Sequence, residues 1–138
     1  GGLKIVGTTS QLTVSETGPN YVVSVPLATL DTKIELRNKH MREKYLHTDK
    51  FPNAELVVAK GEVKSETSGA DANGTLKIHG HEKPVRFHYE AKKTGNVVLV
   101  TSSFKVSIGD FGIEQPSFMG ATVKPDVDVS ATFSLKGE

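Results

Sequence analysis

His79-Gly80-His81 is the stretch whose residue types and spacing most directly suggest chemistry, in a chain with five histidines and no cysteine. Imidazoles two apart on an extended strand point to one side and could share a metal ion. Gly80 and the turn residues after it break such a strand. A hairpin centred near His81 would set His79 opposite Pro84 and His88 opposite Thr75, leaving His79 and His88 roughly 13 Å apart along the ladder. No third ligand is evident, so no metal site is expected. Asp110-Phe111-Gly112 has the letters of the kinase magnesium motif, but the glycine-rich phosphate loop, the catalytic loop and the length of that fold are lacking. Serines, histidines and aspartates abound, yet none stands in a nucleophile-elbow sequence and no carboxylate pair has a distinctive context. The residues give no reason to propose catalysis, and a non-enzymatic role is expected.

Composition narrows the remaining classes. A chain of 138 residues fits one domain spanning 1–138, enough to bury roughly two-thirds of its unfolded surface. Seventeen Lys and Arg stand against sixteen Asp and Glu, a balance that offers no electrostatic footprint for nucleic acid. Nothing is long and apolar enough to span a bilayer as a helix. The lack of cysteine removes disulfide, thiol-redox and zinc-ribbon chemistry together. No signal peptide is read at the start.

The elements that must position any site follow a period of two. Leu3 and Ile5, then Leu12 and Val14, alternate with polar neighbours, and Tyr21, Val23, Val25 and Leu27 share a face. So do Ala54, Leu56 and Val58; Leu76 and Ile78; and Val85, Phe87 and Tyr89. Val98, Val100, Phe104, Val106 and Ile108 form another row, and Val127, Val129, Ala131, Phe133 and Leu135 the last. Turn residues at Thr17 to Asn20, Asn73-Gly74, Gly80 to Pro84, Lys93 to Asn96 and Lys124-Pro125 separate these runs. The polar stretch EVKSETSGADANG is expected to be an exposed connection. The pattern predicts an all-β fold, a meandering antiparallel sheet closed into a barrel or folded into a sandwich.

One helix interrupts it, over about residues 35 to 46. Thr32-Lys33-Ile34-Glu35 has the spacing of a capping box. At 100° per residue, Ile34, Met41 and Tyr45 fall within about 40° of one another, one narrow stripe that can face a core. Pro52 ends the excursion. Such a helix either closes one open end of a barrel or fills the end of a sandwich.

Three ordered blocks carry a resemblance. LDTKIELRNKHMREKYLHTDKFPNAEL resembles the Asp-Thr, Arg-x-x-His and aromatic or Leu then Pro signature of the YceI-like family of polyisoprenoid-binding, lipocalin-like proteins. GTLKIHGHEKPVRF resembles that family's Gly-x-Leu-x-x-His-Gly-x-x-Lys-Pro-Val segment, and DFGIEQPSFMGATVKPDVDVSATF its Asp-Phe-Gly-Ile block and closing strand. The likeness runs from about Gly7 to Leu135. It implies an antiparallel lipocalin-like β-barrel with one short capping α-helix, in a periplasmic or secreted bacterial protein. No cofactor would be required; the occupant would be a polyisoprenoid or ubiquinone-like lipid.

Burying such a chain needs a dry apolar cavity, at about 25 cal/mol for each Å² removed from water. The expected lining is Val23, Val25, Leu56, Val58, Leu76, Ile78, Phe87, Tyr89, Val100, Phe104, Val129 and Phe133, with Met41 and Tyr45 at the mouth. Ordinary core packing by the same residues is the alternative. Phe111, Ile113, Phe118 and Met119 form either a gate or a loop packed on the barrel end. Arg37 and His40 match polar positions of the family's helix block. They would contact a head group, or Arg37 would pair with Asp31 or another carboxylate and hold the helix down. The basic flank of Arg37, Lys39, Arg42 and Lys44 would either touch anionic lipid in a transient membrane contact or serve as a solvated face. Family members carry a further strand ahead of the segment equivalent to Leu3-Lys4-Ile5, so an exposed edge is expected, open to a homodimer. A ligand-free interaction module with a filled core is the competing functional reading.

Overall fold

The computed structural model describes residues 5–118 and 120–136, side chains included except that of Phe118. The expectations for Leu3 and Met119, and for the Phe118 side chain, therefore lie outside the described residues. The strands are β1 (Thr13–Thr17), β2 (Asn20–Pro26), β3 (Asn53–Ala59), β4 (Thr67–Ile78), β5 (His81–Thr94), β6 (Val97–Ser107), β7 (Ser117–Phe118), β8 (Ala121–Thr122) and β9 (Asp126–Lys136). Helix α1 (Glu35–His40) runs on into a π-helical turn over Met41–Tyr45, close to the span expected for it.

A single seven-stranded antiparallel sheet in the order β1-β2-β3-β4-β5-β6-β9 makes the body, and β7 pairs with β8 apart from it. The sheet curls into a half-barrel: β1 and β9 come close but do not pair. Alternation governs the curl. On β6, Val98, Val100 and Val106 are buried and face inward while Val97 and Leu99 face out. A slip of one residue would exchange those sets, so the β6–β9 ladder, Val97 opposite Lys136 through Ser107 opposite Asp126, is held in one register. Ser102 breaks the apolar inner row; it is 2% exposed, and its hydroxyl donates to the Ala131 carbonyl at 3.1 Å.

Two expectations are corrected along β4. The polar stretch read as a connection is strand from Thr67 onward, and Ala72 within it is 1% exposed. Polar residues are tolerated there because they take the outer face of a strand whose small inner residues sit under β5. Asn73-Gly74 is not a turn: Asn73 pairs with Arg86 and Gly74 with Val85. A Cβ on Gly74 would stand 3.0 Å from Leu56 Cδ1 and 3.1 Å from the Val57 carbonyl oxygen. Glycine is there for a close approach of β3, beside a β3–β4 ladder that runs only from Glu55 to Val57.

The β4–β5 hairpin turns at His79-Gly80 instead of near His81, with φ of 57° and 73°. Positive φ at both central residues matches the twist of the flanking strands in a two-residue hairpin. Thr75 therefore pairs with Pro84, and His88 with Asp71, replacing the partners expected from the sequence. Pro84 falls where β5 has no β6 partner, since that ladder begins at His88, so its missing N–H costs no sheet hydrogen bond.

Gly74→Ala is expected to destabilise the fold by about 1–3 kcal/mol, because the Val57 carbonyl cannot give way as a side chain would. Urea denaturation would measure it.

Candidate functional site

The inner face gathers most of the expected lining. Val23, Leu56, Val58, Phe87, Tyr89, Val100 and Phe133 meet in one buried cluster with Ala72, Ala91, Val98 and Leu135. Leu76 and Tyr45 lie in a second cluster with Val106, Phe111 and Ile113, against which Ile78 and Val129 pack. Phe104 touches both. Val25 and Met41 are half-buried and belong to neither group. Phe111 and Ile113 are 2% and 6% exposed, so they form the floor of the second cluster. Along β9 the inner row passes from buried Phe133 and Leu135, through half-buried Ala131 and Val129, to Val127 at 38% exposure. Between β9 and β1 the half-barrel has an unpaired seam among the described residues, and the inner row of β9 is most accessible at Val127.

The polar ends of the buried tyrosines reach a connection in one case and β7 in the other. Tyr89 Oη accepts from the Lys64 amide at 2.8 Å, and Tyr45 Oη lies 3.5 Å from both the amide nitrogen and the carbonyl oxygen of Ser117. Two open depressions lie at the surface. One is lined by Thr8, Thr9, Ser10, Gln11, Thr29 and Asp31. The other, of about 240 Å³, lies at the β4–β5 turn against Phe51 and Asn53.

The start of α1 departs from a capping box. Lys33 takes φ of 72° and its amide donates to Asp31 Oδ1 at 2.8 Å, which delays the helix. The cap position falls to Ile34, in extended conformation and without a side-chain cap bond. Thr32 serves a different partner: its amide and hydroxyl donate to Asn38 Oδ1 at 2.8 and 2.5 Å. Asn38 Nδ2 in turn donates to Asp31 Oδ1 at 3.0 Å. Thr32 and Asn38 are 3% and 6% exposed, so these bonds form a buried polar hub beneath the helix. The Asn38 hydrogen bond above all, then the Lys33 amide and charge, holds the Asp31 carboxyl below its usual value of 3.8.

With Asp31 so engaged, Arg37 does not pair with it. The guanidinium donates from Nη2 to the Thr32 carbonyl, and its buried Nε has no partner among the described residues. Arg37 still fastens the helix, through a backbone oxygen instead of a carboxylate. His40 is exposed, and Glu35 pairs with Arg42 at 3.2 Å. Ile34 leaves the expected core stripe: it is 43% exposed, because it sits outside the helix. Tyr45 keeps an inward place in the second cluster, whereas Met41 is half-buried and packs in neither cluster.

At the β4–β5 turn the histidines acquire a neighbour the sequence did not suggest. His47, at φ of 49°, brings its ring centroid to 5.5 Å from that of His79. The rings of His79 and His81 stack at 6.3 Å, and Phe51 packs on His79 at 4.9 Å. Among the described residues no group of three His, Asp or Glu is arranged to hold a metal ion.

A curled antiparallel half-barrel, closed at one end by a short helix and apolar on its inner face, is the architecture of lipocalin-like binding folds. The sequence matches the YceI-like domain over residues 2–135, and the chain belongs to that family. UPF0312 protein plu2095 of Photorhabdus laumondii is 36% identical over 74 residues, which are 53% of this chain and 38% of that relative. The matched stretch thus spans well under half the length of this curated relative. Among solved structures, the YceI protein of Campylobacter jejuni superposes with a TM-score of 0.75 at 15% identity, covering 99% of this chain and 86% of that one. A polyisoprenoid binding domain from Saccharophagus degradans, implicated in plant cell wall breakdown, gives 0.74 at 18% identity, covering 92% and 82%. Burkholderia cenocepacia BcnA gives 0.72 at 12%, covering 91% and 82%. At these identities the likeness establishes the fold.

Asn38→Ala would leave the Thr32 amide and hydroxyl buried without an acceptor, a loss of about 1–3 kcal/mol, read as faster amide exchange through Glu35 to Tyr45. Asp31 adds a pH dependence. A carboxylate held low in the folded state stabilises at neutral pH, and that contribution is lost as pH falls through its lowered value. Urea unfolding of Asp31→Asn and wild type should therefore differ most near neutrality and converge in acid below the ordinary carboxylate value of 3.8.

Proposed function

We propose that this chain is a non-enzymatic carrier or sequestering protein for a long apolar lipid, an isoprenoid such as a polyprenyl chain or the tail of a ubiquinone-like molecule. The observation that carries the reading is the inner row of β9. Accessibility rises along that row from Ala131 and Val129, each half-buried against one of the two apolar clusters, to exposed Val127, on the strand that borders the unpaired seam. An apolar chain laid along that seam would cover them and gain about 25 cal/mol for each Å² removed from water. Family membership and the likeness to a polyisoprenoid binding domain support the same class of ligand. The site would lie outside the cytoplasm of a bacterium. The exposed Leu36 and the basic residues Lys39 and Lys44 on the helix suit a transient contact with an anionic membrane during loading.

A second reading rests on its own observation. Val100, Tyr89 and Phe87 are at most 2% exposed, as in a filled barrel, and β1 and β9 each present an unpaired edge among the described residues. In that reading the chain is an interaction module, and a second copy or another chain adds a strand at the edge.

Titration with a fluorescent polyene lipid separates the two. The carrier reading expects saturable binding to wild type, weakened about tenfold or more when Val129→Lys places a charge on the seam, with the circular dichroism spectrum unchanged. Absence of binding to wild type, or equal binding to both proteins, would favour the filled module.

A further inference from the structure

The three histidines at the capped end have no part in the lipid reading, and their geometry has a consequence of its own. His79 Nδ1 lies 3.2 Å from the Phe111 carbonyl oxygen. A carbonyl only accepts, so Nδ1 carries the proton and Nε2 of the neutral ring is a bare acceptor. That Nε2 is buried and has no hydrogen-bond partner among the described residues. His81 repeats the arrangement, its Nδ1 on the His79 carbonyl at 2.9 Å, with its ring so close to the Gly112 backbone that a Cβ there would stand 2.8 Å from His81 Cε1.

These side chains belong to three separate segments. His47 and Phe51 come from the connection between the helix and β3, His79 and His81 from the β4–β5 turn, and Phe111 and Gly112 from the segment after β6. The His79 to Phe111 bond and the Phe51 ring, which lies on both His79 and Gly80, fasten them together. A proton added to His79 would create a buried N–H with no acceptor among the described residues and a charge beside two further imidazoles. The charged groups around them do little to offset this. Lys77 and Glu82, at the rim of the adjoining depression, pair with each other at 3.2 Å. Asp49, Lys50 and Asp110 are exposed on their loops, and none of the three imidazoles is bonded to a carboxylate among the described residues.

We propose that His79, with His47 and His81, forms a proton-sensitive latch that holds the helix-capped end closed when neutral and releases it as pH falls. The sign follows from the burial of the neutral ring: the closed state leaves an added proton on Nε2 without an acceptor among the described residues, so acid works against closure and base does not. Discharge of a lipid through the opened end rests on the function proposed above; the opening itself does not.

Hydrogen exchange of the lipid-free protein tests the latch. The amides to follow are those of Lys50, Phe51, Gly112 and Ile113, which bond within the fastened segments. Corrected for chemical exchange, they should open about tenfold more often at about pH 5 than at pH 7.5 in wild type. In His79→Asn the ratio should be near one, since asparagine suits the positive φ and makes a favoured turn with Gly80. Equal protection of wild type at both pH values, or opening of His79→Asn as large as that of wild type, would overturn the proposal. Should that variant not fold, nitrogen-15 spectra of the wild-type imidazoles decide instead: His79 Nε2 must take up its proton as the segments open, and a His79 that stays neutral while they open would equally overturn it. A latch that opens in acid with no lipid released from a preloaded sample would leave the latch standing and count against the carrier reading.

Discussion

Inward burial of one face of a curled sheet is the constraint from which the rest of this structure follows. Each strand contributes alternate residues to the interior, and the side-chain period of two ties that burial to the hydrogen-bond register. Phe133 lies opposite Val100 and Leu135 opposite Val98, and a slip of one residue would turn valine and phenylalanine into water. The same demand explains Gly74: β3 must come near enough to β4 to seal Leu56 and Val58, and only a residue without Cβ leaves the space. On β9 the demand is met incompletely: among the described residues the strand has no partner beyond β6 in the sheet, and Val127 stays partly in water.

Closing the end of the half-barrel poses a different problem. A helix of this length contributes little stability by itself, and Leu36 on its outer side is 57% exposed. Polar ties take over where apolar contact is scarce. Asn38 joins Thr32 and Asp31 beneath the helix start, Arg37 reaches the Thr32 carbonyl, and Tyr45 brings its hydroxyl to Ser117 at the far end. Asn38 is a poor helix former, placed where its side chain substitutes for the amides and carbonyls that a chain leaving a sheet gives up.

Much of this was legible in the sequence because alternation is local. Val98, Val100, Phe87, Tyr89, Leu56 and Phe133 announced their inward faces through spacing alone, and Pro52 marked the return to the sheet. Residues whose role depends on distant partners were not legible. Asn73-Gly74 has the composition of a turn, and only the approach of Leu56 and Val57 makes it a strand. Thr32 and Glu35 have the spacing of a capping box, yet Asn38 outcompetes the backbone for the threonine hydroxyl. His47 stands far from His79 in the chain, and no pattern on either side signals that their rings meet. Recognition of the His-Gly pair as a two-residue hairpin turn would have corrected the register around His88, since both residues tolerate or favour positive φ there.

The central claim is that the inner face of this half-barrel accepts an apolar chain. Native mass spectrometry of protein purified without detergent, followed by organic extraction, tests it most directly. The account predicts a stoichiometric mass increment that extraction removes and that proves to be an isoprenoid or quinone. A bare chain that stays bare after incubation with a polyprenol and with ubiquinone would contradict it, leaving the apolar clusters as a filled core.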